Sequence, residues 1–287
     1  MRKIATVAAG VLLCAGLAAA QALPAYVDVW VPGVSPEKTA DFERVVKRFI
    51  EAYNKVKSTE HWVVAQRFYG DKTAYVFFIE RQKWAELDSA PQDLEVLTKA
   101  YGRAEAERFM KQASGTFKDA QAYFLRVRGD LSLRPDRQYP ARSKVLRASA
   151  YWVRPGRGPD FEALLKRAIE AHTQLGTTAH FTLSQTVSGG GPNYWLTTFA
   201  PNFAEFDNDP GNVILKAFGQ EEYDKFRMKA AEVVEKAENY THVLRPDLSR
   251  APQSYVEANK AMWAPKPAPK PAEEKKPAEK KPAEKKS

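Results

Sequence analysis

The chain has 287 residues, 44% hydrophobic and 28% charged, with a formal net charge of +9, and is long enough for two domains that each bury a core. Arg2 and Lys3 supply two of those charges, and eight Lys against four Glu after Ala264 supply four more, which leaves +3 for everything between. A nucleic-acid binder concentrates Lys and Arg on its folded domain, so this distribution argues against nucleic acid as a partner.

The amino terminus has the parts of a secretory signal. Arg2 and Lys3 form a charged region, Ile4 to Leu17 an apolar run, and Ala20-Gln21-Ala22 a small-x-small cleavage site. Residues 1–22 are therefore expected to be removed and the mature chain to act in the periplasm or outside the cell. The apolar run is shorter than the ~20 residues a spanning helix needs, so no transmembrane span is expected after cleavage. The single cysteine, Cys14, lies inside this run, and cleavage leaves a chain without disulfides, thiolate ligands or a thiol nucleophile.

A strand is expected over Ala25 to Val31, ending at the turn pair Pro32-Gly33. A helix follows, with Ser35 as N-cap and Pro36 at its first position. Its stripe of Phe42, Val45, Val46, Phe49, Ile50, Tyr53 and Val56 occupies one helical face. His61 to Phe68 and Thr73 to Glu80 read as a hairpin, Pro91 opens a second helical region that breaks near Gly102, and Ala122 to Arg128 closes the unit as a strand.

The chain then writes this unit again. Asp41-Phe42-Glu43 returns as Asp160-Phe161-Glu162, and His61 and Gln66 return as His180 and Gln185, all at an offset of 119. The offset falls to 117 where Asp130-Leu131-Ser132 returns as Asp247-Leu248-Ser249. The helix stripe recurs as Phe161, Leu164, Leu165, Ala168, Ile169, His172 and Leu175, the hairpin as His180 to Val187 and Asn193 to Phe199, and the closing strand as Tyr240 to Arg245. Asp209 and Pro210 mark the start of the second helical region of this copy, which is expected to end near Lys236. The organisation expected is a signal peptide over 1–22, a first repeat over 23–132, a linker over 133–146, a second repeat over 147–250, an extension over 251–264 and a tail over 265–287. The Lys/Pro/Ala/Glu-rich tail has no aromatic or branched aliphatic residue to bury and is expected to be disordered. Its charge suits contact with an anionic envelope surface.

The order β-α-β-β-α-β gives a four-stranded antiparallel sheet with helices on one face, the ferredoxin-like arrangement. Tyr75, Phe77 and Ile79 alternate with Val76 and Phe78, so the other face is also apolar and needs a cover. With this element order, unit length and duplication, residues 26–249 resemble the dimeric α+β barrel superfamily. The resemblance implies two four-stranded sheets packed face to face within one chain around a central cavity, paired with each other rather than with a partner chain. Members include cofactor-independent monooxygenases, haem-dependent enzymes and proteins without known chemistry, and no motif of one branch is present.

The four histidines have no metal-ligand spacing, and there is no nucleophile elbow, P-loop or dinucleotide fingerprint, so neither a metal nor a cofactor is expected. Haem remains open because His is a usual axial ligand. Alternation puts His180, Thr182, Ser184 and Thr186 on one face of a strand whose first-repeat equivalent reads His61, Val63, Ala65 and Arg67. His242 stands where the first repeat has Leu125, and His172 where it has Tyr53. A duplicated domain acquires a site of its own where one copy turns polar, which points to His180, Thr182, Ser184, Tyr194 and His242 as ligand-binding residues. The outer charges of the first helix, with Glu43 placed to pair with Lys47, read as a solvated face, and Arg128-x-Asp130 and Arg245-x-Asp247 as local pairs at the chain exits. The function expected is non-catalytic binding of a small molecule, or a structural role, in the cell envelope. The alternative is a cofactor-independent or haem-dependent monooxygenase-like activity in the second repeat.

Overall fold

The computed structural model describes residues 23–69, 73–208 and 211–264. The signal segment, the tail, the hairpin residues 70–72 and the helix start expected at Asp209 and Pro210 lie outside them. Among the described residues no helix is long and apolar enough to cross a membrane.

The first repeat supplies β1 (Tyr26–Val34), α1 (Thr39–Lys55), β2 (Val63–Arg67), β3 (Thr73–Arg81), α2 (Asp93–Tyr101), α3 (Arg103–Ser114) and β4 (Lys118–Val127). A short helix α4 (Tyr139–Arg142) leads to the second repeat, which supplies β5 (Val145–Val153), α5 (Gly158–Gln174), β6 (Thr182–Ser188), β7 (Tyr194–Ala200), α6 (Val213–Phe218), α7 (Gln220–Val233) and β8 (Val234–Leu244). Helices α8 (Gln253–Ala258) and α9 (Lys260–Trp263) follow.

The eight strands form one closed antiparallel barrel in the order β1-β3-β2-β8-β5-β7-β6-β4, with β4 paired back onto β1. This corrects the expectation of two separate sheets packed face to face. An isolated four-stranded sheet leaves two edges of unpaired N–H and C=O groups. Here β2 pairs with β8, Ala65 opposite Leu244 and Arg67 opposite His242. At the opposite junction β4 pairs with β6, Arg126 opposite Gln185. Hydrogen bonding edge to edge removes both pairs of edges and turns the apolar inner faces into a lumen.

Several boundaries also differ from expectation; β4 begins at Lys118 rather than Ala122, and α1 at Thr39 after a single 3-10 turn over Pro36–Lys38. Strand β1 runs on through Pro32-Gly33, and the register against β4 shifts between Val31 and Gly33, so the proline falls in a bulge where its missing N–H breaks no ladder bond. Helix α7 stops at Val233 and β8 begins at once, six residues before the strand expected from Tyr240. The charged residues Glu235, Lys236 and Glu238 hid that start.

The outward side chains of the strands meet the helices. In the first repeat the α1 stripe packs with Val64, Tyr75, Phe77, Leu97 and Phe109. Fully burying Phe42 or Tyr75 contributes roughly 1.5–3 kcal/mol each. The second repeat has an equivalent but smaller core of Phe161, Leu165, Leu183, Tyr194 and Val233. Helices α8 and α9 cap one end of the barrel, where Tyr255 and Trp263 pack against Val63, Ala65, Leu146 and Leu244. The Trp263 indole donates to the Ala141 carbonyl at 2.8 Å.

The two strand junctions carry matching polar clamps. Arg245 donates to Asp247 at 2.9 and 2.8 Å and reaches across to Glu43 of α1 at 2.6 Å. Glu43 also accepts from the Tyr75 hydroxyl at 2.9 Å. At the other junction Arg128 donates to Asp130 at 2.9 and 2.8 Å and to Glu162 of α5 at 2.7 Å, and Glu162 accepts from Tyr194 at 3.2 Å. Glu43 therefore pairs with the other repeat instead of with Lys47, which lies 3.8 Å from Asp247. The exit pairs are local to Asp130 and Asp247 and at the same time bridge the repeats.

Candidate functional site

Strand alternation decides what faces the lumen. From the first repeat come Val27, Val29 and Val31 of β1, Val63 and Arg67 of β2, Val76 and Phe78 of β3, and Gln121, Tyr123 and Leu125 of β4. From the second come Leu146, Ala148 and Trp152 of β5, Thr182 and Ser184 of β6, Trp195, Thr197 and Phe199 of β7, and Lys236, Glu238, Tyr240 and His242 of β8. They enclose a cavity of about 840 Å³, within the few-hundred to thousand Å³ range of sites for small organic ligands.

The cavity has an apolar wall and a polar wall. Val29, Val76, Tyr123 and Leu125 form the apolar wall. The matching positions of the second repeat are Ala148, Trp195, Tyr240 and His242, and the Trp195 ring packs against the apolar wall, 5.5 Å from the ring of Tyr123. Small residues on β5 make room for these rings: Ala148 stands opposite Thr197 on one side and Tyr240 on the other, and Ala150 opposite Trp195 and Glu238. Their first-repeat counterparts are Val29 and Val31.

Tyr240 lies at the centre of the polar wall. The Arg67 guanidinium sits over its ring at 4.4 Å from the centroid, and the rings of Trp195 and His242 are centred 6.4 and 6.3 Å away. Its hydroxyl donates to Glu238, which also takes Lys236 at 2.7 Å. The other members of this wall are not satisfied. Both ring nitrogens of His242, the Nε of Arg67 and the indole nitrogen of Trp195 are buried without a hydrogen-bond partner among the described residues. Leaving such a group unmade costs about 1–3 kcal/mol each. His242 is only 3% exposed, and burial, with Arg67 beside it, lowers its pKa to about 4. It is a neutral imidazole at pH 7.

The two ends of the cavity differ. One is bounded by the β6–β7 hairpin, by Gln121, and by Trp152 with the Lys236 ammonium 4.6 Å from its ring centroid. The glycine run shapes this end: Gly189 has φ +103, and a Cβ there would stand 2.1 Å from the Ala122 carbonyl oxygen, so only glycine lets the hairpin lie on β4. The opposite end is closed by charged pairs. Arg81 holds Glu60 at 3.0 and 2.5 Å, and Glu80 takes both Arg137 at 2.6 Å and the Tyr255 hydroxyl at 3.0 Å.

Of the residues singled out from the sequence, His242, Thr182 and Ser184 line the cavity together. His180 does not: its Nε2 lies 2.8 Å from the Phe199 carbonyl and its ring stacks on Tyr139 at 3.9 Å. Tyr194 faces the α5 side and serves the junction clamp, because it is one residue out of phase with Trp195. His172 is held by Thr177 at 2.9 Å, outside the barrel. Trp195, Tyr240 and Arg67 escaped the sequence reading. Period-two alternation separates Trp195 from Tyr194, but nothing in one strand says which face is inside; Arg67 belongs to the repeat that looked apolar.

No family model and no curated protein matches the chain. Several solved structures are similar at low identity. An anthrone oxidase-like protein matches with a TM-score of 0.49 and 12% identity over 77% of this chain and 92% of its own. A heme-binding protein from Thermus thermophilus matches with a TM-score of 0.43 and 12% identity, over 84% and 96%. The chlorite dismutase from Candidatus Nitrospira defluvii matches with a TM-score of 0.45 and 7% identity, over 82% and 94%. The chain itself closes its two βαββαβ units into one eight-stranded barrel.

Among the described residues no cluster of His, Cys, Asp or Glu could hold a metal ion. Two imidazoles line the cavity, those of His61 and His242, and His61 makes a hydrogen bond with the Thr59 backbone. An axial haem histidine is oriented by an acceptor on its other ring nitrogen, and neither nitrogen of His242 has one among the described residues.

Proposed function

We propose that the barrel is a binding chamber for one small organic molecule, held in the lumen between the two repeats. The observation that carries this is the conjunction of a cavity of about 840 Å³ with buried, unpartnered nitrogens on Arg67, Trp195 and His242, all on its wall. Apolar walls with a few convergent polar groups are the usual make-up of a ligand site. Binding is favoured over catalysis by the state of His242. A general base works best with a pKa near the operating pH, and an imidazole lowered to about 4 is a weak base there.

Export through residues 1–22 and contact of the Lys-rich tail with an anionic envelope surface belong to the same reading. They are supported by the charged, apolar and small-residue order of the amino terminus and by the tail composition.

The test is titration of the mature protein with the neutral apolar fluorophore N-phenyl-1-naphthylamine. One probe is expected per chain, with quenching of tryptophan fluorescence, and filling the lumen with Ala148→Phe should weaken binding at least tenfold while the fold is retained. Undiminished binding to the filled variant would place the probe outside the barrel and contradict the reading. So would a Soret band in protein from its native compartment that is lost in His242→Ala.

A further inference from the structure

We propose that the ligand of this chamber is a flat aromatic molecule bearing an anionic group such as a carboxylate, and that Arg67, Trp195 and His242 receive that group. The inference rests on the chamber reading and narrows it to a ligand class.

Unpaired donors outnumber unpaired acceptors on this wall. An arginine Nε–H and an indole N–H can only donate, and a neutral imidazole donates from one nitrogen and accepts at the other. The unpartnered set on this wall therefore offers three donors and one acceptor. Glu238, the one carboxylate on the same wall, already takes the Tyr240 hydroxyl and Lys236. A molecule that satisfies the wall must bring acceptors.

The charge of the wall favours an anion. Arg67 makes no ion pair among the described residues; it stands in register with His242 on the neighbouring strand and lies over Tyr240. Its counterpart in the first-to-second repeat alignment is Thr186, so the barrel carries this guanidinium at one junction only. Arg67 is also felt at a distance, helping to hold the Glu238 carboxyl below its ordinary range after Lys236 and Tyr240. A guanidinium matches a carboxylate with two parallel hydrogen bonds, a fit a neutral acceptor does not reproduce.

The shape of the wall favours a flat ring. Trp195 and Tyr240 present rings tilted by only 30° at 6.4 Å, and Trp195 packs against the cluster of Val29, Val76, Tyr123 and Leu125. A planar ring system packs against that aromatic wall with its anionic edge toward Arg67 and His242, and its apolar face covers the valines.

The probes are 2-naphthoate and its neutral isostere 2-naphthamide, titrated calorimetrically into the mature full chain at pH 7. The carboxylate should bind roughly 10–100-fold more tightly than the amide, a difference of about 1.4–2.8 kcal/mol. Arg67→Leu should weaken the carboxylate far more than the amide and reduce the ratio to within about threefold, and Trp195→Phe should weaken the carboxylate more than the amide. Amide binding as tight as the carboxylate in the parent protein overturns the anionic class and leaves the chamber standing. A ratio that survives in a folded Arg67→Leu variant overturns the assignment to Arg67. Binding of neither probe overturns the chamber and this inference together.

Discussion

The two repeats share their junctions and differ in their interiors. At both junctions the same four residue types meet: Tyr75, Glu43, Arg245 and Asp247 at one, Tyr194, Glu162, Arg128 and Asp130 at the other. Inside the barrel, matched positions diverge from Val76 to Trp195, Leu125 to His242, Val63 to Thr182 and Ala65 to Ser184. Closing the barrel demands two equivalent seams, so the seams stayed alike. Holding one asymmetric ligand demands one polar wall, so the lumen did not.

The seams provide the largest expected effect. Arg245→Leu leaves Glu43, Tyr75 and Asp247 without their shared cation, and Arg128→Leu does the same to Glu162 and Asp130. Removing one partner of a buried pair costs about 3–5 kcal/mol, and these arginine side chains are about one-fifth exposed, so solvent screening reduces the figure to roughly 2–4 kcal/mol. Urea denaturation should give similar losses for both variants. A loss at one seam with none at the other would break the equivalence. The carboxylates of the seams are held below their ordinary range, Glu43 first by its hydrogen bond to Arg245 and Glu162 by that to Arg128. Their contribution is present above the unfolded pKa and is lost as pH falls through the lowered folded value.

The interior gives a smaller, sign-reversing test. His242→Leu makes the second repeat resemble the first, removes a buried unpartnered imidazole, and is expected to change stability at pH 7 by no more than about 1 kcal/mol, since removing an unpaired polar group offsets the lost packing. Leu125→His should cost about 2–3 kcal/mol for the reverse reason. The parent protein should also respond to pH in a window that His242→Leu removes. With a folded pKa of about 4 against 6.5 unfolded, the unfolded chain binds more protons between those values, so stability falls as pH drops through that interval, by about 3 kcal/mol in full. A parent stability flat from pH 6.5 to 4.5 would show that the imidazole is not buried in the lumen. The groups that face it are Arg67 and Tyr240, with Glu238 beyond the tyrosine ring.

Much of this was legible in the sequence because duplication supplies its own control. Two copies of the α1 stripe fixed the helix, and two copies of the hairpin fixed β2 with β3 and β6 with β7. Matching the copies also drew attention to His242, Thr182 and Ser184. Closure was not legible, because edge pairing depends on backbone hydrogen bonds that leave no periodic mark in the side chains. The start of β8 was hidden by its charges, which stand at one end of the lumen where a charged strand is tolerated. Glu43 looked solvated because its partner, Arg245, is 202 residues away in the chain. Tyr194 was chosen over Trp195 for want of any signal that fixes which face of β7 is inside.

A ligand received by the second-repeat wall is reported most directly by the indole N–H of Trp195. In a spectrum of tryptophan indoles labelled with nitrogen-15 and assigned by Trp195→Phe, saturation with 2-naphthoate should shift the Trp195 N–H. The signals of Trp62 and Trp263, whose N–H groups already donate to the Leu248 and Ala141 carbonyls, should hold still. An unmoved Trp195 signal with a shift confined to the exposed Trp84 would contradict the account.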